Sequence, residues 1–218
     1  MKHHEYIVID GFSRSNMGRI LSIAASALSA FTIYFLLKLV DLSQLWWGID
    51  ATLPPSVLSL AGAGMIYFLL YHVLNKYLWK RPFVGQLISM PNLSGEWEVI
   101  GKTLHPEERI CEWKGVIRIV QTWDKVRIRQ TTNTSQSDSI TASVINDQGI
   151  SYRLLYNYTN RPLAGNDEMQ SHMGFVDLEF SEDLNSATGE YFNGRGRNTY
   201  GTMTLRRKNK NGGLWSED

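Results

Sequence analysis

The run Val57–Leu74, VLSLAGAGMIYFLLYHVL, carries no formal charge, and it is just long enough to cross a hydrocarbon core as a helix, which takes roughly 17–25 residues. A second such run, Ile20–Leu37, precedes it. A chain with two apolar runs this close together is expected to form a membrane hairpin, and whatever follows hangs from it. The segments expected are a cytoplasmic N-terminal segment 1–19, a first transmembrane helix 20–40, a periplasmic loop 41–56, a second transmembrane helix 57–79, a linker 80–92, a soluble domain 93–208 and a flexible tail 209–218. The first run starts well inside the chain and lacks a small-x-small cleavage site, so it reads as a retained helix, not a signal peptide.

Charge orients the hairpin. Lys2, Arg14 and Arg19 precede the first run, and Lys76, Lys80 and Arg81 follow the second. The connecting DLSQLWWGIDATLPPS carries Asp41 and Asp50, with Trp46 and Trp47 suited to a headgroup layer. Basic residues at the outer ends are expected to place both termini of a multi-pass membrane protein in the cytoplasm. Ser22, Ser26 and Ala30, like Ser59 and Ala63, recur every four residues, so one small-residue face is expected on each helix, for contact between the spans or between protomers.

From Leu93 the periodicity changes to alternation, with turn residues at the spacing of an all-β domain. Eight strands are expected, at 93–103, 115–122, 125–134, 139–145, 150–160, 171–181, 187–194 and 199–207, while 6–9 reads as either a short strand or a surface-lying segment. The connections sort into tight turns at the end where the chain enters and longer polar loops at the other. That pattern predicts an antiparallel up-and-down, lipocalin-like barrel, closed so that no edge is exposed. Its tight end would face the membrane and its open end the cytoplasm. Inward parity falls on Trp97 and Val99, Val126 and Ile128, Ile140, Ala142 and Val144, Tyr152 to Tyr158 in alternation, and Val176, Leu178 and Phe180. Arg127 and Arg129 take the outward parity.

Function classes narrow from there. A formal net charge of +1 over 218 residues argues against binding a DNA or RNA polymer. The single cysteine, Cys111, excludes an internal disulfide and a cysteine-rich metal site. His105 and His172 have no ligand-spaced partners and no nucleophile–base spacing stands out, so neither a catalytic residue, a metal site nor a cofactor is expected. At the open end, GRGRN offers Arg195 and Arg197 on a glycine-rich backbone. Two readings fit it, a phosphate clamp with bidentate forks and a solvated hairpin turn. Tyr156, Tyr158 and Tyr200 could stack on bases there, while Gln130, Thr132 and Asn133 could read base edges. Each also suits barrel filling.

Two N-terminal spans, a basic linker, and a small barrel opening with LSGEWEV and closing with YGTMTLRRK resemble the CD-NTase-associated transmembrane β-barrel effectors of bacterial cyclic-oligonucleotide antiphage signalling, the CBASS systems. The resemblance implies a receptor. A cognate nucleotidyltransferase would make a cyclic dinucleotide, the barrel would bind it, and homo-oligomers would form and disrupt the inner membrane, killing the infected cell. The ligand contacts expected are Gln130, Thr132, Asn133, Tyr156, Arg195, Arg197 and Tyr200. The alternative is a membrane-tethered lipocalin-like carrier of an apolar ligand.

Overall fold

Alternation in the second half of the chain does produce strands at all eight expected places. The computed structural model describes residues 3–48, 55–104, 111–147, 151–163, 171–194 and 198–208. Its strands are β1 (His4–Ile9), β2 (Gly95–Leu104), β3 (Cys111–Gln121), β4 (Lys125–Thr132), β5 (Ser135–Asp147), β6 (Ser151–Pro162), β7 (His172–Phe180), β8 (Ser186–Asn193) and β9 (Tyr200–Arg207). Two compact units result, one comprising 12–79 and the other 1–11 together with 80–218.

The eight-strand, purely antiparallel expectation is corrected by β1. From β2 to β9 the strands pair as antiparallel neighbours, and β9 returns to β2. The seam between β4 and β5 closes in two halves. Near the loop end the two strands pair directly, Arg129 with Asp138 and Gln130 with Ser137. Lower down they part, and β1 fills the gap, antiparallel to β4 at His4 and Glu5 and parallel to β5 from Tyr6 to Ile9. Among the described residues the result is a closed barrel of nine strands. Ser139 sits at the fork, where its Oγ accepts from Ile128 N at 3.0 Å and lies 2.7 Å from His4 Nε2. Tyr6, 2% exposed, is the main plug. Its hydroxyl donates to Thr122 O at 3.0 Å and accepts from Gln121 Nε2 at 3.1 Å.

The interior is built from the inward parity of each strand, with Trp97, Val99, Ile117, Ile119, Leu154, Val176, Leu178, Phe180 and Leu205 almost fully enclosed. Trp97 and Phe180 meet edge to face at 5.2 Å. One inward assignment fails. A bulge between Ser139 and Thr141 shifts the register, so Ile140 turns outward, 41% exposed, while Ser135 and Ser137 point in above it. Tyr152 is only half-buried.

Outward Arg127 and Arg129 clasp Asp138 across the direct part of the seam, at 3.3 and 2.9 Å. Burial pulls the Asp138 carboxyl up, but hydrogen bonds from Arg129 and Gln136, the charge of Arg129 and a further bond from Arg127 outweigh it, so the group ends below the ordinary carboxylate value. A depressed folded value means stability that is present above about pH 4 and lost as pH falls through the folded value. Asp138→Asn is therefore expected to cost about 2 kcal/mol at pH 7. The deficit should shrink below pH 4. Urea midpoints of both forms between pH 7 and 3 check this, and a deficit independent of pH would refute it.

In the other unit, α1 (Arg14–Trp47) begins at an N-cap Ser13, whose Oγ accepts from Asn16 N, and ends at Gly48 in the left-handed region, φ 66°. It is long and apolar enough to cross a membrane. The 22-residue α2 (Pro55–Lys76) packs against it within the unit. Of the two contacts expected for the small-residue face of α1, the one between the spans is not made. Ser22, Ser26 and Ala30 are exposed, whereas Ala25 and Ser29, each 2% exposed, form the buried face. A Cβ on Gly62 of α2 would come within 3.0 Å of Ser29 Oγ. A 3₁₀ turn, Leu78–Lys80, and the short α3 (Pro82–Leu87) lead into the barrel.

Candidate functional site

At the loop end the barrel interior opens into a cavity of about 590 Å³, within the roughly 300–1,000 Å³ usual for small-molecule sites. Three aromatic rings stand in its wall, and each lies against a glycine directly across the ladder. Trp113 faces Gly101, Tyr158 faces Gly174 and Tyr191 faces Gly201. A Cβ on these glycines would come within 2.1 Å of Trp113, 2.4 Å of Tyr158 and 2.8 Å of Tyr191. Missing side chains on one strand thus let rings from the next fold down over the backbone.

Hydrogen bonds then fix the rings. Trp113 Nε1 donates to Tyr191 Oη at 3.1 Å, Thr103 Oγ1 lies 2.6 Å from the same oxygen, and the two rings meet edge to face at 5.8 Å. Tyr158 donates to Asn193 Oδ1 at 2.5 Å, and Asn193 Nδ2 donates to Thr199 Oγ1 at 2.8 Å. A wall locked in this way loses little further freedom when a planar ligand stacks on it.

The β4–β5 hairpin forms the facing, polar wall with Gln130, Thr132 and Asn133, and with Ser135 and Ser137 brought inward by the bulge. Asn160 Nδ2 donates to both serine hydroxyls at 2.9 Å. Its Oδ1 is buried without a hydrogen-bond partner. An unpaired carbonyl in a polar cavity is an acceptor that lacks only an N–H donor, the kind of group a base amine supplies.

The structure sorts the seven expected contacts. Gln130, Thr132 and Asn133 line the cavity together. Tyr156 does not. It is 3% exposed, between Ala142 and Val176 on the neighbouring strands, and fills the barrel beside Tyr158, with ring centroids 6.2 Å apart. Burial, and then the proximity of Tyr158, push its hydroxyl far above the ordinary phenol value, so it stays neutral. Tyr200 has the wrong parity for stacking inside. Gly201, Met203 and Leu205 take the inward positions of β9, leaving Tyr200 on the outer face, 49% exposed. Arg195 and Arg197 lie outside the described residues. Trp113, Tyr191 and Asn160 were not among the expected contacts. Glycines within strands, Gly101, Gly174 and Gly201, were the signal that could have found the rings.

Similarity to known proteins agrees with the division of the chain. Residues 15–80 match the family described as Cap15, TM helices, and residues 88–207 match Cap15, cyclic dinucleotide receptor domain. The chain is also 49% identical over 210 residues to CD-NTase-associated protein 15 of Yersinia aleksiciae, covering 95% of this chain and 98% of that one. Both of its parts being matched, the chain belongs to the Cap15 family of membrane effectors in CBASS antiphage defence.

Proposed function

We propose that a cyclic dinucleotide binds in the loop-end cavity and that its binding drives assembly of the protein in the inner membrane, disrupting the bilayer and killing the infected cell. The observation that carries this reading is the cavity's pairing of three fixed rings with a wall of hydroxyls and amides, including the unpartnered Asn160 Oδ1. Bases stack on the rings, base edges meet Gln130, Thr132, Asn133 and Asn160, and Arg195 and Arg197 meet phosphates. The match of residues 88–207 to a cyclic dinucleotide receptor domain favours this reading over the carrier of an apolar ligand.

The route from ligand to membrane runs along one seam. Upper β4 and β5 supply the polar wall, lower β4 and β5 hold β1, and β1 leads through Asp10–Ser13 into α1. A ligand that tightens or spreads the upper seam changes the fit of β1 below. It drives assembly only to the extent that it prefers the assembled state.

Chain connectivity supports two crossings with both termini on one side. Strand β1 belongs to the same barrel as β2–β9, which favours an even number of crossings between Ile9 and Gly95. If α1 crosses, α2 returns. The basic flanks put the shared side in the cytoplasm.

Calorimetric titration of the full chain in detergent with cyclic di-AMP, cyclic di-GMP and cyclic GMP–AMP, alongside light scattering, tests the reading. Saturable binding of at least one, with growth in particle size, is expected. Arg195→Gln/Arg197→Gln should weaken it tenfold or more. Silence across the panel from folded protein overturns the receptor reading, and unchanged affinity in the double variant overturns the phosphate assignment.

A further inference from the structure

The opposite end of the barrel carries a second hollow, of about 810 Å³, where β2 starts and β3 and β9 end. Among the described residues its wall holds four cations, Lys80, Arg118, Arg207 and Lys208, against one carboxylate, Glu96. Glu96 lies 3.7 Å from Arg118, and both are well exposed. Arg207 is held differently. Its guanidinium packs 4.8 Å from the Trp97 ring and donates to the carbonyls of Asn92 and Ser94 at 2.6 and 3.1 Å. Among the described residues no carboxylate pairs with it. Burial lowers its pKa from the ordinary arginine value, which marks a cation partly stripped of water and short of a counter-ion. Beside it, the Ser94 hydroxyl is buried without a hydrogen-bond partner and lines the same hollow. Three net positive charges and a spare hydroxyl donor together describe a receptor for an anion.

Position identifies the anion's source. Lys80 ends the 3₁₀ turn that begins two residues after Lys76, the last residue of α2. At about 2 Å of rise per residue, the four steps from Lys76 to Lys80 advance the chain only about 8 Å, the depth of a headgroup layer. Immediately after it, α3 exposes Phe83 and Leu87, 78% and 71% exposed and four residues apart on one helical face. Apolar side chains displayed beside basic ones are the pattern of a segment lying in the membrane interface.

We propose that this hollow binds the phosphate of an anionic phospholipid from the bilayer in which the helices lie, with Arg207 and Ser94 as fixed donors and Arg118, Lys80 and Lys208 completing the cationic rim. The site rests on the membrane reading above. It is separate from the messenger cavity, at the other ends of the same strands. Occupied, it ties the lower barrel to the lipid surface while the loop end stays open to solvent.

Native mass spectrometry of the full chain in neutral detergent, titrated with dioctanoyl phosphatidylglycerol, dioctanoyl phosphatidylcholine and inorganic phosphate, tests it. Phosphatidylglycerol should bind saturably and at least tenfold more tightly than the other two. Arg118→Gln and Lys208→Gln, both at solvent-accessible positions, should each weaken it about fivefold and leave cyclic dinucleotide affinity unchanged. Equal binding of phosphatidylglycerol by the double variant overturns the site. Inorganic phosphate binding as tightly as the lipid overturns the lipid assignment, and a parallel loss of cyclic dinucleotide affinity would reassign the cations to the messenger. Carbonate extraction from phosphatidylcholine vesicles separates the two readings. A chain that is extracted fails the membrane reading, whereas one that resists extraction yet shows no lipid preference fails only this site.

Discussion

Tyr6→Ala is expected to lower the stability of the β domain by about 4 kcal/mol, although the residue lies on the far side of the helices in sequence. Truncating a buried aromatic costs about 3–5 kcal/mol through lost contacts and the cavity left behind. Tyr6 is 2% exposed, and its loss also strips Thr122 O and Gln121 Nε2 of a partner inside the barrel. Against the roughly 5–15 kcal/mol of an ordinary domain, such a loss removes from about a quarter to most of the stability. Tyr6→Phe keeps the ring and should cost only about 1 kcal/mol. Urea unfolding of the full chain, followed by tryptophan fluorescence, measures both. If Tyr6→Ala lay within 1 kcal/mol of the parent, β1 would not be the closing element described here.

The second large effect is expected at a glycine. Gly101→Val places carbon atoms where the Trp113 ring now lies, 2.1 Å from the nearest ring atom. Among the three glycine–ring pairs it is the most informative, because the nearest obstacles at Gly101 are all Trp113 side-chain atoms, whereas Gly174 and Gly201 also crowd backbone. The ring must swing away, breaking its bond to Tyr191 and removing one stacking surface. Base–aromatic stacking contributes about 1–3 kcal/mol per base, so messenger affinity should fall about 10- to 100-fold. Trp113→Ala should fall by a similar factor, and Gly101→Val should add little to it. Two independent losses that multiply would show that the glycine acts elsewhere.

Much of the barrel was readable because its inward positions are strongly apolar and strictly alternate, as in Trp97–Val99 and Val176–Leu178–Phe180. Two features defeated that reading. Ile140 lies at a bulge, where one extra residue reverses the parity that alternation assumes. Strand β1 has only six residues, HEYIVI, set apart from its partners by the whole helical unit and pairing with β5 in parallel, so no local pattern marks where it goes. Around the candidate cavity, the place of Gln130 and Thr132 was legible because the inward parity of β4 turns polar toward the loop end, and Asn133 lines the cavity from the turn that follows. Tyr200 was misplaced by counting aromatics near the mouth rather than following the alternation of Gly201, Met203 and Leu205. Trp113 was missed because its strand begins earlier than the turn signals suggested.

Synthesis order gives β1 a further role. It leaves the ribosome ahead of the helices, yet its parallel partner β5 follows only after about 130 residues, on the order of ten seconds later at about 5–20 residues per second. On the proposed two-crossing topology, the helices insert during that interval while β1 is still unpaired. Should α2 then fail to bring the chain back, β5 would emerge on the opposite face and the two strands could never meet. Closure of the barrel would on that topology be a check on insertion, and a wrongly inserted copy could not complete the cavity proposed to hold the messenger.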